Sequence, residues 1–239
     1  MKPSSPSLEG GASASGSGRT SEGEASGAGL TRREVVTTLA LGLGLAALAG
    51  AIALLTSKHE AAAGTASKPD RPRQLVEFNL VERSGRPVGL AELTGKYLVV
   101  DFVFTGCSLS CRAVNDRMEE IQRLVAGAGD VRLVSLTVDP RSDTPAVLAR
   151  FAEGYHADAD RWLFLTGDKT ELYRLIETSF IAKSPELEGL IPGGFASTDR
   201  IMLVDPKGNV FASFNGLSRY AAANVTAEID KHRKAHPQK

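Results

Sequence analysis

The chain has 239 residues, 28 basic and 28 acidic side chains, and a formal net charge of zero with histidine neutral. That length supports one good hydrophobic core plus additional segments. The only basic block is Lys231-His232-Arg233-Lys234, which reads as a solvated helix end, so no nucleic-acid partner is expected.

Residues 1–30 are Gly, Ser, Ala and Glu with almost nothing to bury, and are expected to form a disordered tail. Residues 35–57 carry no charged side chain and are rich in Leu, Ala and Gly. About 20 such residues span a bilayer as a helix. Arg32 and Arg33 precede the run, which by the positive-inside rule puts the N-terminus in the cytoplasm. The favoured reading is one N-terminal transmembrane helix. The rival is a cleaved export signal, because Thr31-Arg32-Arg33-Glu34-Val35-Val36 resembles a twin-arginine motif and Ala61-Ala62-Ala63 offers a peptidase small residues. Both readings put the rest of the chain outside the cytoplasm, in the periplasm if the source is a bacterium, where disulfides persist.

Residues 58–73 read as a polar linker, and the folded domain is expected over 74–239. Within it, 76–80 alternates like a strand and Ser84-Gly85-Arg86 reads as a turn. Residues 97–105 form a nearly continuous apolar run, as in a buried parallel strand, and 131–138 and 162–165 read the same way. Residues 200–204 and 210–214 read as a hairpin around Asp205-Pro206-Lys207-Gly208. Helical patterns cover 111–125, 145–155, 169–179 and 219–234. Strands alternating with helices predict an α/β domain whose sheet, at least partly parallel, is covered on both faces. Trp162 reads as core.

The only two cysteines are Cys107 and Cys111, in Asp101-Phe102-Val103-Phe104-Thr105-Gly106-Cys107-Ser108-Leu109-Ser110-Cys111. They fall between an apolar strand and a helix whose stripe continues through Val114, Met118, Ile121 and Val125. On a regular helix, residues four apart hold their Cβ atoms about 5–6 Å apart. A disulfide needs about 3.8 Å. Closing one therefore requires Cys107 to lie off the helix, with Gly106 supplying the backbone freedom. A helix N-terminus also lowers a thiol pKa. Such a pair can cycle between dithiol and disulfide, or hold Cu(I) between two soft sulfurs. A purely structural staple over so short a loop would contribute only about 2 kcal/mol. No second Cys/His pair stands at structural zinc spacing.

These residues resemble the Sco (SenC) family of membrane-anchored, thioredoxin-like copper proteins that assist cytochrome c oxidase assembly. The resemblance covers about residues 74–217. It rests on Gly95-Lys96, on Phe102-Val103-Phe104-Thr105-Gly106-Cys107 with the gap to Cys111, and on Thr137-Val138-Asp139-Pro140-Arg141-Ser142-Asp143-Thr144-Pro145. Trp162-Leu163-Phe164-Leu165-Thr166-Gly167 and Leu203-Val204-Asp205-Pro206-Lys207-Gly208 complete it, in the same order. It implies a thioredoxin-like fold with a mixed sheet flanked by helices, anchored to the cell membrane by a single pass. It also implies copper as cargo, Cys107 and Cys111 as its ligands, and the copper-site subunit of the oxidase, or another copper or thiol protein, as partner.

One departure stands out. In the family a histidine several residues before the Leu-Val-Asp-Pro stretch completes the copper site; counting back without gaps, that place falls at Ser197, and a one-residue shift gives Ala196. The histidines of this chain are His59, His156, His232 and His236, none of them in that segment, and His156 reads as a surface residue at a helix end. Two thiolates still suit Cu(I), whereas Cu(II) prefers additional nitrogen or oxygen donors. The departure therefore shifts weight towards thiol–disulfide exchange, in which the thiolate of Cys107 attacks and Cys111 resolves. A purely redox thiol–disulfide oxidoreductase with no copper carriage is the alternative. Asp139 could tune the thiols or contact a partner. Its neighbourhood also reads as a turn followed by a helix start capped by Asp143 or Thr144.

Overall fold

Every residue of the strand Tyr97–Val103 is buried, and the remaining elements are arranged around it. The computed structural model describes residues 48, 66–68, 73–106, 110–180 and 199–237. In chain order the elements are β1 (Arg73–Gln74), β2 (Asn79–Glu82), β3 (Pro87–Gly89), α1 (Leu90–Leu93), β4 (Tyr97–Val103), α2 (Ser110–Leu124) and β5 (Val131–Thr137). There follow α3 (Pro145–Glu153), β6 (Trp162–Thr166), α4 (Lys169–Ser179), β7 (Arg200–Val204), β8 (Asn209–Asn215) and α5 (Ala221–Ala235).

The strands form one mixed sheet in the order β1-β8-β7-β4-β5-β6-β2-β3. β4 pairs in parallel with β5 from Tyr97–Val131 to Val103–Thr137, and β5 pairs in parallel with β6. On its other side β4 meets β7 antiparallel, from Leu98–Val204 to Val100–Met202. Period-two alternation sends successive β4 side chains to opposite faces. Leu98, Val100 and Phe102 join the core beneath α4, with its Leu172, Leu175 and Ile176. Tyr97, Val99 and Val103 join the core beneath α2 and α5, with Val114, Met118, Ile121, Val225 and Ile229. This coverage of both faces is why 97–103 carries a continuous apolar run rather than an alternating one.

The expected strand at 76–80 forms later, at Asn79–Glu82. Leu75 and Phe78 are buried outside the ladder, so their burial does not report on strand position. β3 and α1, three and four residues long, are too short for periodicity to reveal. Ser67, within the stretch read as linker, pairs with Ser213 of β8 through two backbone hydrogen bonds of 2.9 Å. The tail over 1–30 and the apolar segment over 35–57 lie outside the described residues, except Leu48, which is helical and exposed. Among the described residues no helix is long and apolar enough to cross a membrane.

Candidate functional site

The C-terminal ends of β4 and β5 and the start of α2 meet at the junction where the cysteine pair was read. Such strand ends form the ligand crevice of open α/β sheets. Cys107 lies outside the described residues. Cys111 is the second residue of α2, with its side chain outside them. What the structure describes is the frame around the pair.

That frame is held by Asp143, which is fully buried. One carboxylate oxygen accepts the hydroxyl of Thr105, and the other accepts the hydroxyl of Thr137 at 2.5 Å and the Thr105 N–H at 3.4 Å. Thr105 is two residues before Cys107, and Thr137 ends β5. A single acid thus ties the cysteine loop to the neighbouring strand. Thr144, not Asp143, caps α3: its side chain accepts the Val147 N–H, with Pro145 in the first turn. Asp143 is thereby free for the strap.

Asp139 stands at the mouth of the same turn. Its N–H donates to Thr137 Oγ1 at 2.9 Å, and its carbonyl accepts the N–H groups of Ser142 and Asp143. Its negative charge adds to burial in raising the pKa of Tyr173, whose hydroxyl donates to the Val138 carbonyl at 2.8 Å. The structure therefore puts Asp139 just past the C-terminal end of β5 and gives its backbone a turn-forming role.

A second buried acid lies deeper on the α2 face of the sheet. Asp101, six residues before Cys107, is opposite Ser135 in the β4–β5 register. Ser135 Oγ donates to its Oδ1 at 2.5 Å, and the Trp162 indole N–H donates to Ser135 Oγ at 2.8 Å. Asp101 Oδ2 is buried with no hydrogen-bond partner among the described residues. Burial raises its pKa to about 7, against the lowering effect of the Ser135 hydrogen bond. Sequence reading passed over Asp101, although an acid inside Tyr97-Leu98-Val99-Val100-Asp101-Phe102-Val103 was the visible signal.

The third approach to the junction comes from the chain entering β7. Ser197 lies outside the described residues, but Asp199, two residues on, is described. The Gly216 N–H donates to the Asp199 carbonyl at 2.8 Å. A Cβ on Gly216 would stand 2.8 Å from that carbonyl oxygen and 3.0 Å from Val114 Cγ1. Val114 is three residues after Cys111. Gly216, bonded to Asp199, therefore stands against Val114 in the first turns of α2. His156 does not: it is exposed beside Glu119 of α2, with 3.3 Å between its Nδ1 and the carboxylate. Glu119 is eight residues beyond Cys111, about 12 Å along the helix axis.

The family model described as SCO1/SenC matches residues 66–233. The chain belongs to the SCO1/SenC family. It is 32% identical over 156 residues to the SCO1 protein homolog of Bacillus subtilis, covering 64% of this chain and 79% of that protein. Among solved structures it is similar to BsSco, a member of the Sco family of cytochrome c oxidase assembly proteins in which a disulfide switch has been identified. That match has 28% identity and a TM-score of 0.58, covering 71% of this chain and 99% of the other. Bradyrhizobium japonicum ScoI, solved with copper bound, matches with a TM-score of 0.53 over 65% of this chain and 98% of its own; at 24% identity this likeness speaks for the fold alone. The expected thioredoxin-like α/β architecture with a mixed sheet is thereby borne out.

Proposed function

We propose that this protein acts in maturing the copper site of a cytochrome c oxidase, with Cys107 and Cys111 as a paired thiol centre that takes Cu(I) as cargo, exchanges a disulfide, or does both. Membership of the SCO1/SenC family supports the broad role. The observation that carries the site is the frame: a fully buried strand leads to a loop strapped by Asp143, and Cys111 stands in the first turn of α2. Exposed peptide N–H groups at a helix start favour thiolate over thiol. Thiolate is the form needed both to ligate a soft ion and to attack a disulfide. The N-terminal apolar segment would tether the domain to the cell membrane, on the extracytoplasmic side.

Disulfide exchange on a partner runs in two balanced steps. The Cys107 thiolate attacks one sulfur of the partner disulfide, forming a mixed disulfide and releasing a partner thiolate. Cys111 then attacks Cys107 Sγ and releases the second partner thiolate, leaving this chain oxidised and the partner reduced by two electrons. A purely redox role is the second reading, and Ser197 favours it, because serine supplies no imidazole as a third ligand.

The test is a Cu(I) titration of the reduced full chain in detergent against a chromogenic chelator, beside the Cys107→Ser/Cys111→Ser variant. One equivalent retained by the native chain and lost in the variant is the result expected for copper handling. Copper stripped equally from both would end that reading and leave disulfide exchange. Ser197→His should strengthen Cu(II) binding if the position faces the thiols.

A further inference from the structure

β7 is antiparallel to β4, and β8 is antiparallel to β7, so β8 runs in the direction of β4, towards the end at which Val103 leads to Cys107. Ser67 meets Ser213 of β8 in an antiparallel bridge, so the chain there runs against β8, and Ala66 lies on the thiol side of Ser67. The register fixes the level: Ser213 is opposite Met202, and Met202 is opposite Val100, three residues before the end of β4. Three strand spacings, about 14 Å, separate Ser67 from β4 laterally. Farther along the chain, Arg73 and Gln74 pair with Val210 and Asn209, at the other end of the sheet. The Ser67 bridge is well fastened. The Ser67 N–H donates to the Ser213 carbonyl and the Ser213 N–H to the Ser67 carbonyl, each at 2.9 Å. The two hydroxyls lie 2.9 Å apart, and Arg200, the first residue of β7, donates from one guanidinium nitrogen to both.

We propose that this bridge makes the thiol end of the sheet the membrane-facing end of the domain, so that the partner it fits is a protein whose thiol or copper site lies close to the bilayer surface. The proposal rests on the membrane tether of the proposed function. Residues 58–66 separate the apolar run from the bridge, and that length of chain reaches at most about 30 Å when extended. Without the bridge the first pairing would be Arg73 with Val210, and the point of attachment would move away from the thiol end by nearly the length of β8, about 20 Å. The bridge therefore shortens the leash and transfers its hold from one end of the sheet to the other. A membrane-bound partner then meets the thiol loop without the domain turning over, whereas a partner arriving from bulk solution gains nothing from the arrangement.

The experiment places one reporter at each end of the sheet. In the full chain carrying Cys107→Ser/Cys111→Ser, Leu217→Cys marks the thiol end, just past β8, and Lys207→Cys marks the β7–β8 turn at the other end; both positions are exposed. Each is labelled with a donor fluorophore and inserted into phosphatidylethanolamine–phosphatidylglycerol vesicles that carry an acceptor on the lipid headgroup. With about 20 Å between the two levels, energy transfer from position 217 is expected to exceed that from position 207 at least about twofold. Ser67→Pro, which removes the donating N–H, should bring that ratio to unity or invert it. In chains that float with the vesicles, equal or weaker transfer from position 217, or a ratio that Ser67→Pro leaves unchanged, would overturn the orientation and leave the tether standing. Chains that do not float with the vesicles would remove the tether itself, and the proposal with it.

Discussion

Asp101→Asn removes the charge of the buried carboxyl while keeping its shape. The native pKa is raised from 3.8 to about 7 by burial. A carboxyl raised in this way binds its proton more tightly in the folded than in the unfolded chain. Between about pH 4 and pH 7 the folded state therefore holds more protons, and its stability falls as pH rises. At about 1.4 kcal/mol per unit, three units amount to about 4 kcal/mol, fully felt above pH 7. The amide still accepts from Ser135 through Oδ1, but its NH₂ replaces the unpartnered Oδ2 and costs about 1–3 kcal/mol as an unsatisfied donor. A net gain of about 1–3 kcal/mol is expected for the variant at pH 8, shrinking to nothing or reversing by pH 5. Urea unfolding followed by the fluorescence of Trp162, the single tryptophan and itself bonded to Ser135, measures both chains across that range. Parallel stability curves for the two chains between pH 5 and pH 8 would refute the assignment of a buried, proton-linked Asp101.

Asp143→Ala should strand the Thr105 N–H and the hydroxyls of Thr105 and Thr137. A loss of about 3 kcal/mol in unfolding free energy is expected, with faster alkylation of the native thiols; an unchanged alkylation rate would mean the strap does not organise the loop. Gly216→Ala drives a methyl to 2.8 Å from the Asp199 carbonyl oxygen and 3.0 Å from Val114 Cγ1. It should cost about 1–3 kcal/mol by overpacking, measurable as a lower urea midpoint.

The sequence announced the long elements because their burial is uniform or strictly periodic. Tyr97–Val103 is apolar at all but one position and buried on both faces, and α2 carries its stripe through Val114, Met118 and Ile121. What stayed hidden depends on partners far along the chain. Asp143 beside Thr144-Pro145 looks like a local helix cap, and only the fold brings it to Thr105, 38 residues earlier. Asp101 looks like an interruption in a strand until the β4–β5 register sets Ser135 opposite it. Likewise His232 reads as a member of the basic helix end Lys231-His232-Arg233-Lys234. Its hydrogen bond with Tyr97, 135 residues earlier, exists only once α5 lies across the sheet.

The two sides of β4 are not equally secured. Seven registered pairs join it to β5, 34 residues away, while three join it to β7, more than 100 residues away. The β4–β5 seam closes through a short crossover, whereas the β4–β7 seam must recruit the chain over a much longer loop. The β7–β8 hairpin is thus expected to assemble later and to loosen earlier in partial unfolding. Because Asp199 directly precedes that hairpin, it would come away with it, while the Thr105–Asp143–Thr137 strap, built wholly on the earlier side, stayed closed.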